Sequence, residues 1–132
     1  MPSQLEQHAW KCTVADVDDW APFTHPTPDG GEATFGEISW IRQGGTGGGT
    51  LLVCLWRQTT PATSPLYDFV AGDESGHILE GRVTVELVET GEQVELAAGD
   101  VYSFAKGTLS RWTVHEPVLK VAVIAHSDPL AP

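Results

Sequence analysis

The chain is short of positive charge: seven Lys and Arg stand against 18 Asp and Glu, giving a formal net charge of −11 over 132 residues. Nucleic acid and anionic membranes attract clustered Lys and Arg, so neither is an expected partner of such a surface. Cysteine is equally scarce. Cys12 and Cys54 lie far apart with no CxxC spacing, which gives no support to a zinc site or a disulfide framework. Cys54 falls inside an apolar run and reads as a buried thiol acting as a small hydrophobe. No apolar run approaches the ~20 residues that span a bilayer. The opening MPSQLEQHAWKC shows neither the charged nor the apolar region of a secretory signal, so a cytoplasmic, membrane-free protein is expected. After Phe35 the chain also lacks sustained helical periodicity, a long internal repeat, a Gly-x-Ser-x-Gly turn and any Cys–His pairing.

What is present points to one core. The length suits a single domain, and Val, Leu and Trp are concentrated after Phe35. Residues 1–33 read as an irregular arm with at most one short helical turn around ADVDDW. Pro22, Pro26 and Pro28 remove backbone donors there and argue against a long helix or a central strand. Such an arm suits packing across a barrel or against a partner subunit. From Thr34 to Pro132, short β-branched and aromatic runs separated by Gly, Pro and acidic turns predict an all-β domain. ATFGEISWIRQ and TLLVCLWRQ flank GGTGGG, which lacks the Lys-Ser/Thr ending and following helix of a phosphate loop and reads as a hairpin tip. TTPATSP reads as a second loop. RVTVELVE and QVELAA alternate with period two around ETGE, the pattern of a hairpin with one buried face.

The run HILEGRVTVELVETGEQVELAAGDVYSFAKGTLSRW, with the later EPVLK, resembles the core of the cupin superfamily. Within it the chain is similar to the small single-domain cupins related to ureidoglycine aminohydrolase and the ethanolamine-utilisation cupin. The resemblance covers about residues 50–125 and implies a double-stranded β-helix, that is, a jelly-roll β-barrel. It does not by itself imply one chemistry. Cupins usually hold a metal through an HxH pair, a Glu four residues after the second His, and one more His past a second turn. Counting from Gly81 puts that Glu on Glu74 and the HxH pair on Asp68 and Val70; counting from Gly107 puts the last His on Ser110. Ala105 replaces the usual Pro of that turn.

A divalent transition metal needs three or four converging donors, and this register supplies Glu74 and Asp68 at most. No cofactor is therefore expected. An altered metal site would use Asp68, Glu74 and His77. Strand parity opposes it, since Asp68, Val70, Glu74 and Gly76 share one face and His77 the other, unless a bulge in GDESG reverses the parity.

A closed barrel of this kind implies a Trp-walled cavity for a small organic molecule. Glu74, Ser110 and His77 are its candidate catalytic residues; Trp56, Trp112, Cys54, Asp68 and Val70 are its candidate ligand contacts. Desolvation in such a cavity favours the neutral form of an acid, the condition for a general acid or base near neutral pH, and Glu74 is the candidate. Ordinary roles compete with these: Glu74 as a solvated loop carboxylate, Trp56 and Trp112 as plain core, and Lys120, which matches the Lys of the EPVLK ending, as a snorkelling surface side chain. His115 lies near the final strands, and His8, His25 and His126 read as surface residues. Three functions follow: a metal-independent lyase, isomerase or hydrolase; a non-catalytic binding or sensor module; and a metalloenzyme with unusual ligands. The Pro-rich arm and the relatives' habit of pairing suggest a homodimer.

Overall fold

The computed structural model describes residues 11–45 and 47–128, and its backbone is nearly all β. The strands are β1 (Ala21–Pro26), β2 (Glu32–Gly44), β3 (Thr50–Gln58), β4 (Ala62–Thr63), β5 (Asp73–Leu87), β6 (Glu92–Ala97), β7 (Val101–Phe104) and β8 (Ser110–His126). Strand periodicity drives the assembly. Along β8 the buried residues are Ser110, Trp112, Val114, Val118, Lys120, Ala122 and Ile124, every one on the same parity, so a single face enters the core.

The strands pair antiparallel in the order β1-β2-β3-β8-β5-β6, with β4 added to β8 and β7 to β5. The two longest, β5 and β8, pair along nearly their whole lengths, from Asp73 opposite Ala125 to Leu87 opposite Ser110. Their register slips around Glu80, Arg82 and Val83, opposite Pro117. On one side of this corner β5 pairs with β7 and β8 with β3; on the other, β5 pairs with β6 and β8 with β4. One long ladder therefore belongs to both layers of a jelly roll. Gly81 makes the corner possible: its φ is +89°, and a Cβ there would collide with the Pro117 carbonyl. The slip also moves burial from even residues (Glu74, Ile78) to odd ones (Val83, Val85), so both halves of β5 feed the same core.

That slip lies after Ile78. From Asp73 to Ile78 the pairing with β8 is unbroken, so no bulge in GDESG brings His77 round to the face of Glu74. The ETGE hairpin forms as expected, with Arg82–Leu87 against 92–97. GGTGGG joins β2 to β3, an antiparallel pair, although Thr46 lies outside the described residues.

The arm needs correction. A 3-10 turn occupies Val14–Asp16, overlapping the start of ADVDDW, but Ala21–Pro26 is a strand despite Pro22 and Pro26. It sits at the sheet edge and pairs with β2 alone, the one place where lost backbone donors are tolerated. The segment just before it lies on the outer surface of β2 and β3: Ser39 Oγ donates to Asp19 at 2.6 Å, and the Arg57 guanidinium sits 4.2 Å over the Trp20 ring. TTPATSP, read as a loop, contains the short strand β4. His8 lies outside the described residues. No helix among the described residues is long and apolar enough to cross a membrane.

Candidate functional site

Inward side chains of β1, β2, β3, β5 and β8 surround a cavity lined chiefly by Phe23, Phe35, Cys54, Trp56, Tyr67 and Trp112, with Glu74, Lys120, His25 and Ser64 as its polar groups. Its water-accessible volume is about 50 Å³, room for roughly four waters at the ~10–15 Å³ each requires. An enclosed occupant is accordingly small.

The aromatic walls have their polar edges already committed. Trp56 Nε1 donates to the Phe35 carbonyl at 3.0 Å and Trp112 Nε1 to Ser110 Oγ at 3.2 Å, which leaves the ring surfaces for contact. Phe35 stacks on Trp56 with centroids 5.8 Å apart, and Trp56 meets Trp112 edge-on at 6.5 Å.

At the cavity floor three buried side chains close a triangle. Lys120 Nζ donates to Glu74 Oε2 at 2.7 Å and to the Tyr102 hydroxyl at 2.7 Å, and that hydroxyl donates to the same Oε2 at 2.6 Å. The side chains of Lys120 and Glu74 are only 8% and 5% exposed, so this ion pair is scarcely screened by solvent. The ammonium lies 4.3 Å from the Trp112 ring centroid and 5.1 and 5.2 Å from those of Tyr102 and Trp56, an aromatic cage that stabilises its charge. Local backbone explains the placement. Gly76 leaves the space that the Tyr102 ring fills, since a Cβ there would fall 2.5 Å from the ring, and the pairing of Glu74 with Ile124 and Gly76 with Ala122 sets Lys120 one step along the same inward face.

The thiol and the phenols nearby stay neutral. Burial pushes the Cys54 thiol up to about 12, an effect the Lys120 charge only partly opposes. Burial, and then the Glu74 charge, also holds the Tyr67 and Tyr102 hydroxyls above the ordinary phenol range. Cys54 is therefore a poor nucleophile, and both phenols remain donors near neutral pH.

The expected site residues divide sharply. Glu74, Trp56, Trp112 and Cys54 meet at the cavity. Asp68 and Val70 do not: Val70 is 44% exposed, Asp68 is half-buried off the cavity wall, and the residues turned inward are Tyr67 and Phe69. The physical reason is a tight turn in which Phe69 adopts φ +53° and its carbonyl accepts from Gly72 N, so the loop before Glu74 holds one residue more than the counted register. Ser110 is fully buried beside the cavity, its Oγ donating to the Tyr67 carbonyl at 2.7 Å while accepting from Trp112, so it orders the wall rather than facing an occupant. His77 lies half-buried on the opposite face of β5, between Val101 and Val121. His115 is exposed and bonds Thr84 Oγ1 through Nε2 at 2.7 Å, and His126 is 3.5 Å from the Asp128 carboxylate.

His25 and Lys120 are corrections in the other direction. Neither is a surface residue: they are 5% and 7% exposed and line the cavity. Period-two alternation carried both signals, through Phe23-x-His25 and through Val118-x-Lys120-x-Ala122. Tyr102 was missed as well, although Tyr102-x-Phe104 alternates inward in the same way.

These residues do not suit the metal usual in the fold. Tyr67 and Phe69 stand at the inward pair, Ser110 Oγ is engaged, and the carboxylate of Glu74 is bonded to an ammonium that would repel a divalent ion. Among the described residues no three His, Cys, Asp or Glu converge as a ligand group.

A family model described as the EutQ-like cupin domain matches residues 53–122. Similar solved structures include KdgF from a Halomonas species (18% identity, 82% of this chain and 87% of that one, TM-score 0.59). Another is a putative ethanolamine utilisation protein Q from Salmonella typhimurium (16% identity, 82% and 96%, TM-score 0.54). A protein of unknown function from Rhizobium leguminosarum shares 25% identity over 70% of this chain and 81% of its own (TM-score 0.51). The first two likenesses are of fold alone. A search of curated proteins finds no match. The jelly-roll topology and the match over 53–122 together make this chain a member of the EutQ-like cupin domain family.

Proposed function

We propose that the barrel binds a small organic molecule against the Glu74–Lys120–Tyr102 triangle without a His-ligated metal. The observation that carries this reading is a buried, mutually bonded ion pair opening onto an otherwise aromatic cavity. Apolar walls supply burial energy while a few fixed polar groups orient the occupant, the division of labour seen in small-molecule sites. Trp56 and Trp112 give the contact area, and Glu74 and Lys120 give direction.

A catalytic version has one observation in its favour. Oε2 takes two of the three bonds of the triangle, and the carboxylate, with the Tyr67 hydroxyl beside it, keeps acceptor capacity for a proton from a bound molecule. Ser110 and His77 have no place in that version.

Titrating metal-stripped protein with a library of small uncharged and charged fragments, followed by Trp emission, tests the reading. Binding is expected to quench emission and to be unaffected by chelator. Emission that responds only after a divalent metal is restored would overturn it.

A further inference from the structure

The charge state of the cavity floor selects the occupant. Glu74 and Lys120 carry the formal charges that line the cavity, and each neutralises the other at 2.7 Å. The remaining titratable groups add no anion, because the Cys54 thiol and the Tyr67 and Tyr102 phenols stay protonated. His25 donates Nδ1 to the Pro26 carbonyl at 2.9 Å, so that nitrogen is already engaged. An anionic occupant would thus add an uncompensated buried charge, and so would a cationic one. The cationic case is blocked twice, since the aromatic cage that would receive an ammonium is already filled by Lys120.

The unspent valences say what the occupant presents. Lys120 has three N–H donors and uses two, on Glu74 and Tyr102. Glu74 gives Oε2 to two bonds, and a carboxylate offers about four acceptor sites, so acceptor capacity remains even with the Tyr67 hydroxyl beside it. A donor and an acceptor therefore sit side by side on one floor, complementary to a molecule that carries an acceptor next to a donor.

We propose that the ligand is a small net-neutral molecule pairing a carbonyl with an adjacent N–H or O–H, such as a carboxamide or an α-hydroxy ketone, on a short apolar body. Small carboxylates and small amines are rejected. This inference rests on the reading that the cavity binds a small organic molecule.

Three probes of nearly equal shape test it: isobutyramide, isobutyrate and isobutylamine, titrated into the full-length native protein near neutral pH and followed by calorimetry and Trp emission. The amide is expected to bind at least about tenfold more tightly than either ion, a conservative reading of the cost of burying an unpaired charge. Glu74→Gln leaves net positive charge and is expected to shift the preference toward isobutyrate; Lys120→Met leaves net negative charge and is expected to shift it toward isobutylamine. Should either variant fail to fold, the native series decides alone. Isobutyrate or isobutylamine binding as tightly as the amide overturns the inference and leaves the binding reading intact. Fragments of every charge class failing to bind overturns both.

Discussion

Lys120→Met lowers the unfolding free energy by about 3–5 kcal/mol, as does Glu74→Gln, because each leaves a buried charge without its partner. The structure makes the loss severe. With Lys120 gone, the Glu74 carboxylate keeps only neutral hydroxyls, Tyr102 and the nearby Tyr67; with Glu74 neutral, the ammonium keeps Tyr102 and the faces of Trp112, Trp56 and Tyr102. The double variant Glu74→Gln/Lys120→Met is expected to cost less than the sum of the singles, with a coupling of roughly 2–3 kcal/mol, since the residues are in direct contact. Urea titrations with unchanged m-values measure all three. Additive losses, or singles costing less than about 1 kcal/mol as at an exposed pair, would show that the pair is not buried as described.

The second large effect is at the corner. Gly81→Ala is expected to destabilise by more than about 3 kcal/mol: a left-handed φ costs a non-Gly residue roughly 1–2 kcal/mol, and the added Cβ meets the Pro117 carbonyl, which is backbone and held by the β5–β8 ladder. Gly91→Ala is the matched control. Gly91 also has positive φ, +76°, but a Cβ there touches nothing within 4 Å. Its cost should stay near the conformational part alone, about 1–2 kcal/mol. Thermal or urea unfolding of the two variants gives the comparison, and equal losses would remove the corner from the account.

The fold was legible because its signal is repeated. Alternation in RVTVELVE, QVELAA and the final strand, interrupted by glycine turns, restricts the chain to antiparallel layers, and the EPVLK ending agreed with them. β1 was hidden because Pro22 and Pro26 oppose a strand in every position except an edge, and only the tertiary pairing with β2 reveals that edge. The site was half legible. Cys54, Trp56 and Trp112 follow from parity and Glu74 from the register of the cupin resemblance counted from Gly81, but Asp68 and Val70 depended on counting through a loop, and a single residue in the Phe69 turn inverts every assignment upstream of it. Lys120 shows a different limit. Its inward parity was readable, but a lone Lys on an apolar face is ordinarily a surface side chain, and the partners that change that reading, Glu74 and Tyr102, come from β5 and β7.

Together these features describe a cupin whose polar centre is a buried, mutually bonded ion pair. The most direct measurement is ¹⁵N-resolved NMR of the Lys120 side chain in metal-stripped protein, with Lys120→Met providing the assignment. The expected result is an ammonium signal protected from rapid solvent exchange by its bonds to Glu74 and Tyr102, and shifted when isobutyramide is added. A Lys120 ammonium that exchanges as fast as those of the exposed Lys11 and Lys106, with no response to isobutyramide, would contradict the buried ion pair.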